Sequence, residues 1–383
     1  MTRTLKAIIT VLISTVALQA PGFGAEGSVE LRPHWFRCNT HTHTSNPPHS
    51  DANETPEFVA DWYYAHGYQC VVITDHEFLT DVTGLNQKYL NSGEFLVIRG
   101  QEITQQLVDP TYPGGVRQLH VNGINLERAI MPIGYPGPAR GISAKLAYER
   151  NMAAIVAAGG IAQVNHPNLE WSVHLEDLLP LSQPFLFEVW NAFPTSNNLG
   201  GTDDGGTRNL STEELWDGLL SSGKVVWAVG SDDAHDYQHM DDRETPGPGK
   251  AWIMIQAASL TVADIMDALR RGHFYATTGI TLASYVADER GIAMEIAPSR
   301  EWSPALKPSA RYRTRFVGAN GRVLLETTGH SAQYRFNGTE QYVRAAIIDS
   351  DGRRAWTQPI FLDGRRDMSL LVTTRNAGTR RMN

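Results

Sequence analysis

Apolar runs too short for helices punctuate the chain: Cys70-Val71-Val72-Ile73, Phe95-Leu96-Val97-Ile98, Ile161-Ala162-Gln163-Val164, residues 185–189 and residues 225–229. Such runs suit strands covered on both faces. Residues 119–124 and 252–255 read as further strands. Between the runs lie stretches with helical boundaries. Thr55 supplies an N-cap and Pro56 a first helical residue for a helix that ends near His66, with Gly67 beyond it. His66 is therefore a helix-end residue. Ser143 caps a helix over 144–158 that Gly159-Gly160 closes, residues 212–220 are helical, and Thr261 starts a helix that stops at Arg271-Gly272. Strand and helix in alternation predict an α/β fold built on a parallel sheet or barrel.

The pattern changes after about Gly279. Helical periodicity gives way to strand candidates at 310–317, 323–328, 334–337, 341–348 and 356–362, separated by turns such as Asn320-Gly321 and Asp351-Gly352. That predicts a small antiparallel β-sandwich. From Gly364 the tail is polar and basic and is expected to be disordered. Loops rich in Pro and Gly at 109–117, 131–141, 200–206 and 245–249 are either walls of a site or plain surface connections. The turn Gly201-Thr202-Asp203-Asp204-Gly205 lacks the Glu of a calcium loop and reads as a solvated turn.

Residues of metal-ligand type fall at the ends of the predicted strands. His41 and His43 are two apart, so in a strand both aim at one point. Asp51 and His76 follow, then Glu102, His120, His166, the pair Asp232 and Asp233, and His235. The C-terminal ends of barrel strands are where loops converge on a common axis. Neutral imidazole with carboxylate suits zinc, manganese or iron, so a multinuclear centre is expected, with Glu102 as the carboxylate that gives one oxygen to each of two ions. Either Asp232 or Asp233 serves as ligand. The other, or Asp75, is available to shuttle a proton, and Asp75 reads better as a residue that orients a ligand.

Composition narrows the setting. With 41 acidic against 33 basic residues the formal charge is −8, which argues against a nucleic-acid partner. Arg3 and Lys6 precede an apolar stretch over 7–18 that is too short to span a bilayer. Residues 1–25 therefore read as a signal peptide, with a membrane-anchoring first helix as the alternative, and the protein is expected to be periplasmic or secreted. The two cysteines, Cys38 and Cys70, sit in predicted neighbouring parallel strands and read as buried apolar fillers rather than a bridge.

His-Thr-His-Thr at 41–44, Ser-Asp at 50–51, Thr-Asp-His at 74–76, Gly-Gln-Glu at 100–102, Asn-His-Pro at 165–167 and Gly-Ser-Asp-Asp-Ala-His at 230–235 resemble the motifs of the PHP (polymerase and histidinol phosphatase) superfamily. The resemblance implies a distorted (β/α)7 barrel over 33–280 with a site for two or three metal ions, followed by an immunoglobulin-like β-sandwich over 281–363 and a tail over 364–383. Gly-His-Phe-Tyr-Ala-Thr-Thr-Gly at 272–279 and the trailing β region look most like the carbaryl-hydrolase-like branch. Two departures stand out. His43 and Asp51 are spaced more widely than in family members, with Asn46-Pro47-Pro48 as the apparent insertion, and two aspartates precede His235 where one is usual.

The expected function is hydrolysis of a small molecule by a metal-activated water, with no protein nucleophile in evidence: there is no Gly-x-Ser-x-Gly elbow. A phosphoester substrate is implied by the superfamily, and a carbamate, ester or amide by the branch. Arg99, Arg117 and Arg243 are candidates to meet a phosphate or are structural, and Trp171, Trp190, Phe193 and Tyr237 line an apolar pocket or pack the core. The rival of another class is a non-catalytic binding protein with the β-sandwich as its working module, which would require gaps in the ligand set. Removal of 281–383 is expected to preserve the metal complement, and loss of all metal would show that the two regions are interdependent.

Overall fold

Residues 34–46, 51–240, 242, 244–288, 290–298 and 311–365 are described by a computed structural model of the chain. The expected signal segment 1–25, the tail beyond 365, Ser50 and Arg243 lie outside the described residues. The described fold is mixed α/β, dominated by one 14-stranded sheet.

Strand β1 (His34–Asn39), helix α1 (Pro56–Ala65), β2 (Cys70–Ile73), α2 (Thr83–Tyr89) and β3 (Leu96–Val108) open the chain, with β1, β2 and β3 parallel. Thr55 Oγ1 accepts from the Phe58 N–H at 3.3 Å, and Gly67 leaves the helix at φ 75°, where a side chain would be strained. Strand β3 is far longer than the apolar run over 95–98 suggests. It continues through Ile103, Gln105 and Leu107 into a hairpin with β4 (Val116–Ile124), so Glu102 lies within the strand and not at its end. β4 is antiparallel to β3 and to β5 (Ile161–Val164). This corrects the all-parallel expectation, and it places His120 in the middle of an antiparallel strand.

After α3 (Ala144–Ala157) and β5 come α4 (Leu175–Leu178), β6 (Leu186–Asn191), the small pair β7 (Gly201–Thr202) and β8 (Arg208–Asn209), α5 (Thr212–Ser221) and β9 (Trp227–Ser231). β5, β6 and β9 are parallel. The chain then passes through β10 (Trp252–Ala257), α6 (Val262–Arg271) and β11 (Phe274–Thr277), with β10 antiparallel to both β1 and β11. Beyond their ends, β1 and β9 meet. Thr42 bridges Ala234, the His43 N–H donates to the Ala234 carbonyl and the Asp233 N–H to the His41 carbonyl, both at 3.0 Å. These bonds fix the two histidines beside the two aspartates.

Cys38 and Cys70 form a disulfide, which corrects their reading as separate fillers. The parallel register sets the two residues directly opposite each other, with Cα atoms 4.5 Å apart and thus within bridging range. The bridge ties together the strands that deliver His41 and His43 on one side and His76 on the other.

The C-terminal strands are β12 (Leu282–Asp288), β13 (Gly291–Ile296), β14 (Tyr312–Gly318), β15 (Arg322–Thr328), β16 (Ser331–Arg335), β17 (Tyr342–Asp349), β18 (Arg354–Thr357) and β19 (Ile360–Phe361). β12, β13 and β16 form a three-stranded sheet whose Ile292, Met294 and Ile296 pack with Phe316, Val343 and Ile347 of the other layer. That other layer is not separate from the rest of the protein. β18 pairs with β11, so β15, β14, β17 and β18 extend the main sheet itself.

Candidate metal centre

Three groups of side chains converge at the junction of β1, β3 and β9. His41, His43, Glu102 and Asp233 form one, Glu102, His120 and His166 a second, and His43, Asp51, His76 and His235 a third; within each group the candidate ligand atoms lie within 4.8 Å of one another. In the first group His41 Nε2 is 3.1 Å from His43 Nε2, 3.2 Å from Glu102 Oε2 and 3.1 Å from Asp233 Oδ1. His43 Nε2 is 3.2 Å from both carboxylate oxygens. A tetrahedron with metal–ligand bonds of about 2.0 Å has edges of about 3.3 Å, so this packing suits a cation at its middle. Asp233 Oδ1 is buried without a hydrogen-bond donor, as a ligand oxygen would be.

The second group uses the other oxygen of the same carboxylate: Glu102 Oε1 is 3.0 Å from His120 Nδ1 and 3.2 Å from His166 Nε2. In the third, Asp51 Oδ1 is 3.2 Å from His235 Nε2 and 3.8 Å from His76 Nε2. Neighbours settle which ring nitrogens are bare. The Glu188 carboxylate has no proton to give, so His41 Nδ1 donates to it at 2.8 Å and leaves Nε2 for the centre. His235 Nδ1 likewise donates to the Asp233 carbonyl at 2.8 Å.

The electrostatics favour bound positive charge. Burial works against an ionised Glu102 or Asp233, yet the surrounding histidines hold both carboxyls well below the usual range. Burial also opposes a charged His43, and the adjacent carboxylates of Asp233 and Glu102 overcome it, pushing the ring up to about 9. A divalent cation would neutralise the same carboxylates without protonating any imidazole. His166 and Asp233 adopt φ of 22° and 51°, strained for residues with a Cβ, so the backbone bends at both positions to present these side chains.

The structure separates the two adjacent aspartates. Asp232 Oδ1 accepts from the backbone N–H groups of Lys250 and Ala251, each at 2.7 Å, and Oδ2 from Gly249 N–H at 2.8 Å, Tyr63 O–H at 2.9 Å and Asn39 Nδ2 at 2.5 Å. With five donors on its two oxygens it belongs to none of the three ligand groups, which corrects its reading as a ligand. It ties β9 to the segment leading into β10. Asp75 is saturated too, by the Thr44 N–H and hydroxyl at 2.7 Å, Asn46 Nδ2 at 2.9 Å and Thr80 O–H at 2.6 Å. It anchors the segment that follows His43.

Glu188 was not among the expected site residues. Inside β6 it looks like an interruption of a core strand, and only the near spacing of Asn191 hints otherwise. The side chain is fully buried and, besides His41, accepts from Gln163 Nε2 at 3.0 Å, Ser231 O–H at 2.5 Å, Asn191 Nδ2 at 2.8 Å and the His166 backbone N–H at 2.6 Å. It therefore holds residues of two groups in one frame. Glu188→Gln is expected to weaken metal binding by about ten- to a hundredfold, the usual effect of losing such a partner, as measured by competition with a chromogenic chelator. Unchanged affinity would reduce Glu188 to a space-filling role.

Of the four named aromatics, Phe193 stands at the site, with its ring edge-on to His235 at 5.7 Å. Tyr237 is buried in the core, Trp190 packs on Trp356 at 5.7 Å, and Trp171 lies against Gly201. Arg117 is committed to the Ser172 carbonyl and the Asp177 carboxylate. No helix among the described residues is long and apolar enough to cross a membrane.

No family profile matches the chain, and no curated protein matches it. Among solved structures, it is similar to a two-domain protein containing a predicted PHP-like metal-dependent phosphoesterase from Bacteroides vulgatus ATCC 8482, at 14% identity over 90% of this chain and 100% of that one, TM-score 0.45. A candidate metal-dependent phosphoesterase from Bifidobacterium adolescentis ATCC 15703 gives 15% identity over 55% of this chain and 89% of that one, TM-score 0.34.

Proposed function

We propose that this chain is an exported metal-dependent hydrolase of the PHP type, acting on a small phosphoester. His41, His43, Asp51, His76, Glu102, His120, His166, Asp233 and His235 would hold two or three divalent ions, zinc, manganese or iron. The observation that carries this reading is Glu102, whose two oxygens each face a separate group of ligand-type nitrogens. Bound ions supply a water of lowered pKa and a positive field for charge developing on the substrate oxygen. The chain's own part is to set the spacing of the ligands, through Glu102, Glu188 and the β1–β9 contact, and to shield the His235 side with Phe193. In this reading the barrel spans 33–280 and the immunoglobulin-like sandwich 281–363. The signal-like residues 1–25 and the disulfide, which suits an oxidising compartment, support export.

A second reading, hydrolysis of a carbamate, ester or amide, draws support from Arg117. Its guanidinium is already bound to Ser172 and Asp177, so it is not free to meet a phosphate, and an uncharged carbonyl needs no such partner. The non-catalytic alternative requires gaps in the ligand set, and each of the three groups has at least three members.

Metal analysis of the purified chain is expected to give two to three equivalents. Exhaustive chelation should abolish turnover of a phosphomonoester, phosphodiester, ester and carbamate panel, and re-addition of zinc or manganese should restore it. Full turnover by metal-free protein would overturn the proposal, and the bond cleaved decides between the two substrate readings.

A further inference from the structure

Beside the metal centre lies a cavity of about 80 Å³ whose walls include Glu77, Thr104, Gln106, Ile133, Tyr135 and Pro136. Its position follows from the β3–β4 hairpin. Positions two apart on a strand share a face, so Thr104 and Gln106 continue outward along the face that carries Glu102. Across the hairpin they pair with His120 and Gln118. Thr104 Oγ1 is 2.7 Å from His76 Nδ1, so the cavity wall touches a side chain of the third ligand group. Glu77 follows His76 at φ 49°, an uncommon conformation for Glu, and its Oε1 accepts from the Thr104 N–H at 2.6 Å.

The opposite wall is a pinned loop. Gln101 exchanges hydrogen bonds with both backbone groups of Ile130 at 2.5 and 2.9 Å, and Gln105 does the same with Ile133 at 3.0 and 2.8 Å. The Ala139 N–H donates to the Gln106 carbonyl at 2.9 Å. A wall held this way is preorganised, so groups that fit it bind without a cost of ordering the loop. The volume corresponds to roughly five to eight water-sized groups, enough for a short arm. Among the described residues lining the cavity, Glu77 is the one that carries charge, and the polar remainder is neutral: Thr104, Gln106 and Tyr135.

We infer that this cavity seats the non-reacting arm of the substrate and selects an arm ending in an amine or hydroxyl over one ending in a carboxylate, sulfonate or second phosphate. The inference rests on the hydrolase reading above. A cationic or donor-bearing arm pairs with the Glu77 carboxylate and the Gln106 amide oxygen. An anionic arm is repelled by Glu77 and finds no cation in the wall. Selection by like-charge exclusion of this kind is a specificity device rather than a catalytic one.

The test presents aminoethyl, hydroxyethyl and carboxymethyl arms to the metal-loaded full-length chain, each carried on a phosphate monoester, a carboxylic ester and a carbamate. On whichever carrier is hydrolysed, kcat/KM is expected to favour aminoethyl over carboxymethyl by about tenfold or more, mainly through KM. Glu77→Gln keeps an acceptor oxygen for the Thr104 N–H and should bring that ratio close to one, and Glu77→Lys should invert it. If the lysine variant fails to fold, Gln106→Glu places a second carboxylate on the same wall and should steepen the preference. An arm ratio that is the same in the wild type and Glu77→Gln overturns this inference and leaves the hydrolase reading standing. No turnover of any carrier overturns both.

Discussion

Glu102→Ala is expected to lower metal-dependent kcat/KM by about a thousandfold or more, equivalent to about 4 kcal/mol of transition-state stabilisation, and to remove more than one ion per chain. The reason is the double use of one side chain. Oε2 faces His41 and His43, and Oε1 faces His120 and His166. Deleting the carboxylate removes a ligand from two groups at once and leaves four imidazoles without the shared anion that offsets the charge of the bound ions. His120→Ala touches the second group alone and should cost about one ion. The comparison is the test: equal metal loss in the two variants would mean that Glu102 serves a single ion. The fold should survive the substitution. Asn165 and Asn122 remain bonded to each other at 2.9 Å, and the space vacated is polar enough to take water. Circular dichroism and thermal melts of both variants check that metal loss is not unfolding.

Much of this arrangement was legible in the sequence because ligand-type residues interrupt apolar strands at regular places. His41, His43, His76, His166 and His235 follow directly from strand ends, and the helix boundaries at Thr55, Ser143 and Thr261 follow from capping chemistry. What stayed hidden depended on contacts between distant segments. Asp232 and Asp233 are chemically identical in sequence, and what parts them is the φ of 51° at Asp233, which turns one carboxylate to the histidines and leaves the other to the backbone of Gly249, Lys250 and Ala251. The Cys38–Cys70 bridge depends on the β1–β2 register, which no local pattern reports. Glu188 reads as an oddity of a core strand until His41 is seen against it. The β3–β4 hairpin was missed because the run Thr104-Gln105-Gln106 is too polar for a buried parallel strand, and its polar face is the one that lines the site.

The joint between the first part of the chain and its C-terminal strands sets the other large effect. Arg344 of β17 is fully buried and gives Asp217 of α5 two hydrogen bonds, from Nε at 2.8 Å and Nη2 at 2.6 Å, while Nη2 also reaches Glu213 at 2.9 Å. Tyr342 O–H donates to Asp217 at 3.0 Å and Trp356 Nε1 to Glu213 at 3.0 Å. Two carboxylates of one helix are thus neutralised by a cation supplied from the other region. Arg344→Met leaves the buried Asp217 and the partly exposed Glu213 without this counter-charge and is expected to destabilise the protein by about 3–5 kcal/mol, chiefly through Asp217, read as a lower denaturant midpoint by fluorescence. The double variant Arg344→Met with Asp217→Leu removes the charge along with its partner and should recover part of that loss, because the penalty belongs to the unpaired carboxylate rather than to the absent bond. Strict additivity of the two changes would refute this account. The same joint bears on removal of 281–383. With β18 gone, β11 becomes the exposed edge strand of what remains of the main sheet, and Asp217 loses Arg344. The truncated chain is therefore expected to aggregate before its metal content can be compared, and the C-terminal strands act as part of the scaffold that holds the ligand-bearing strands in place.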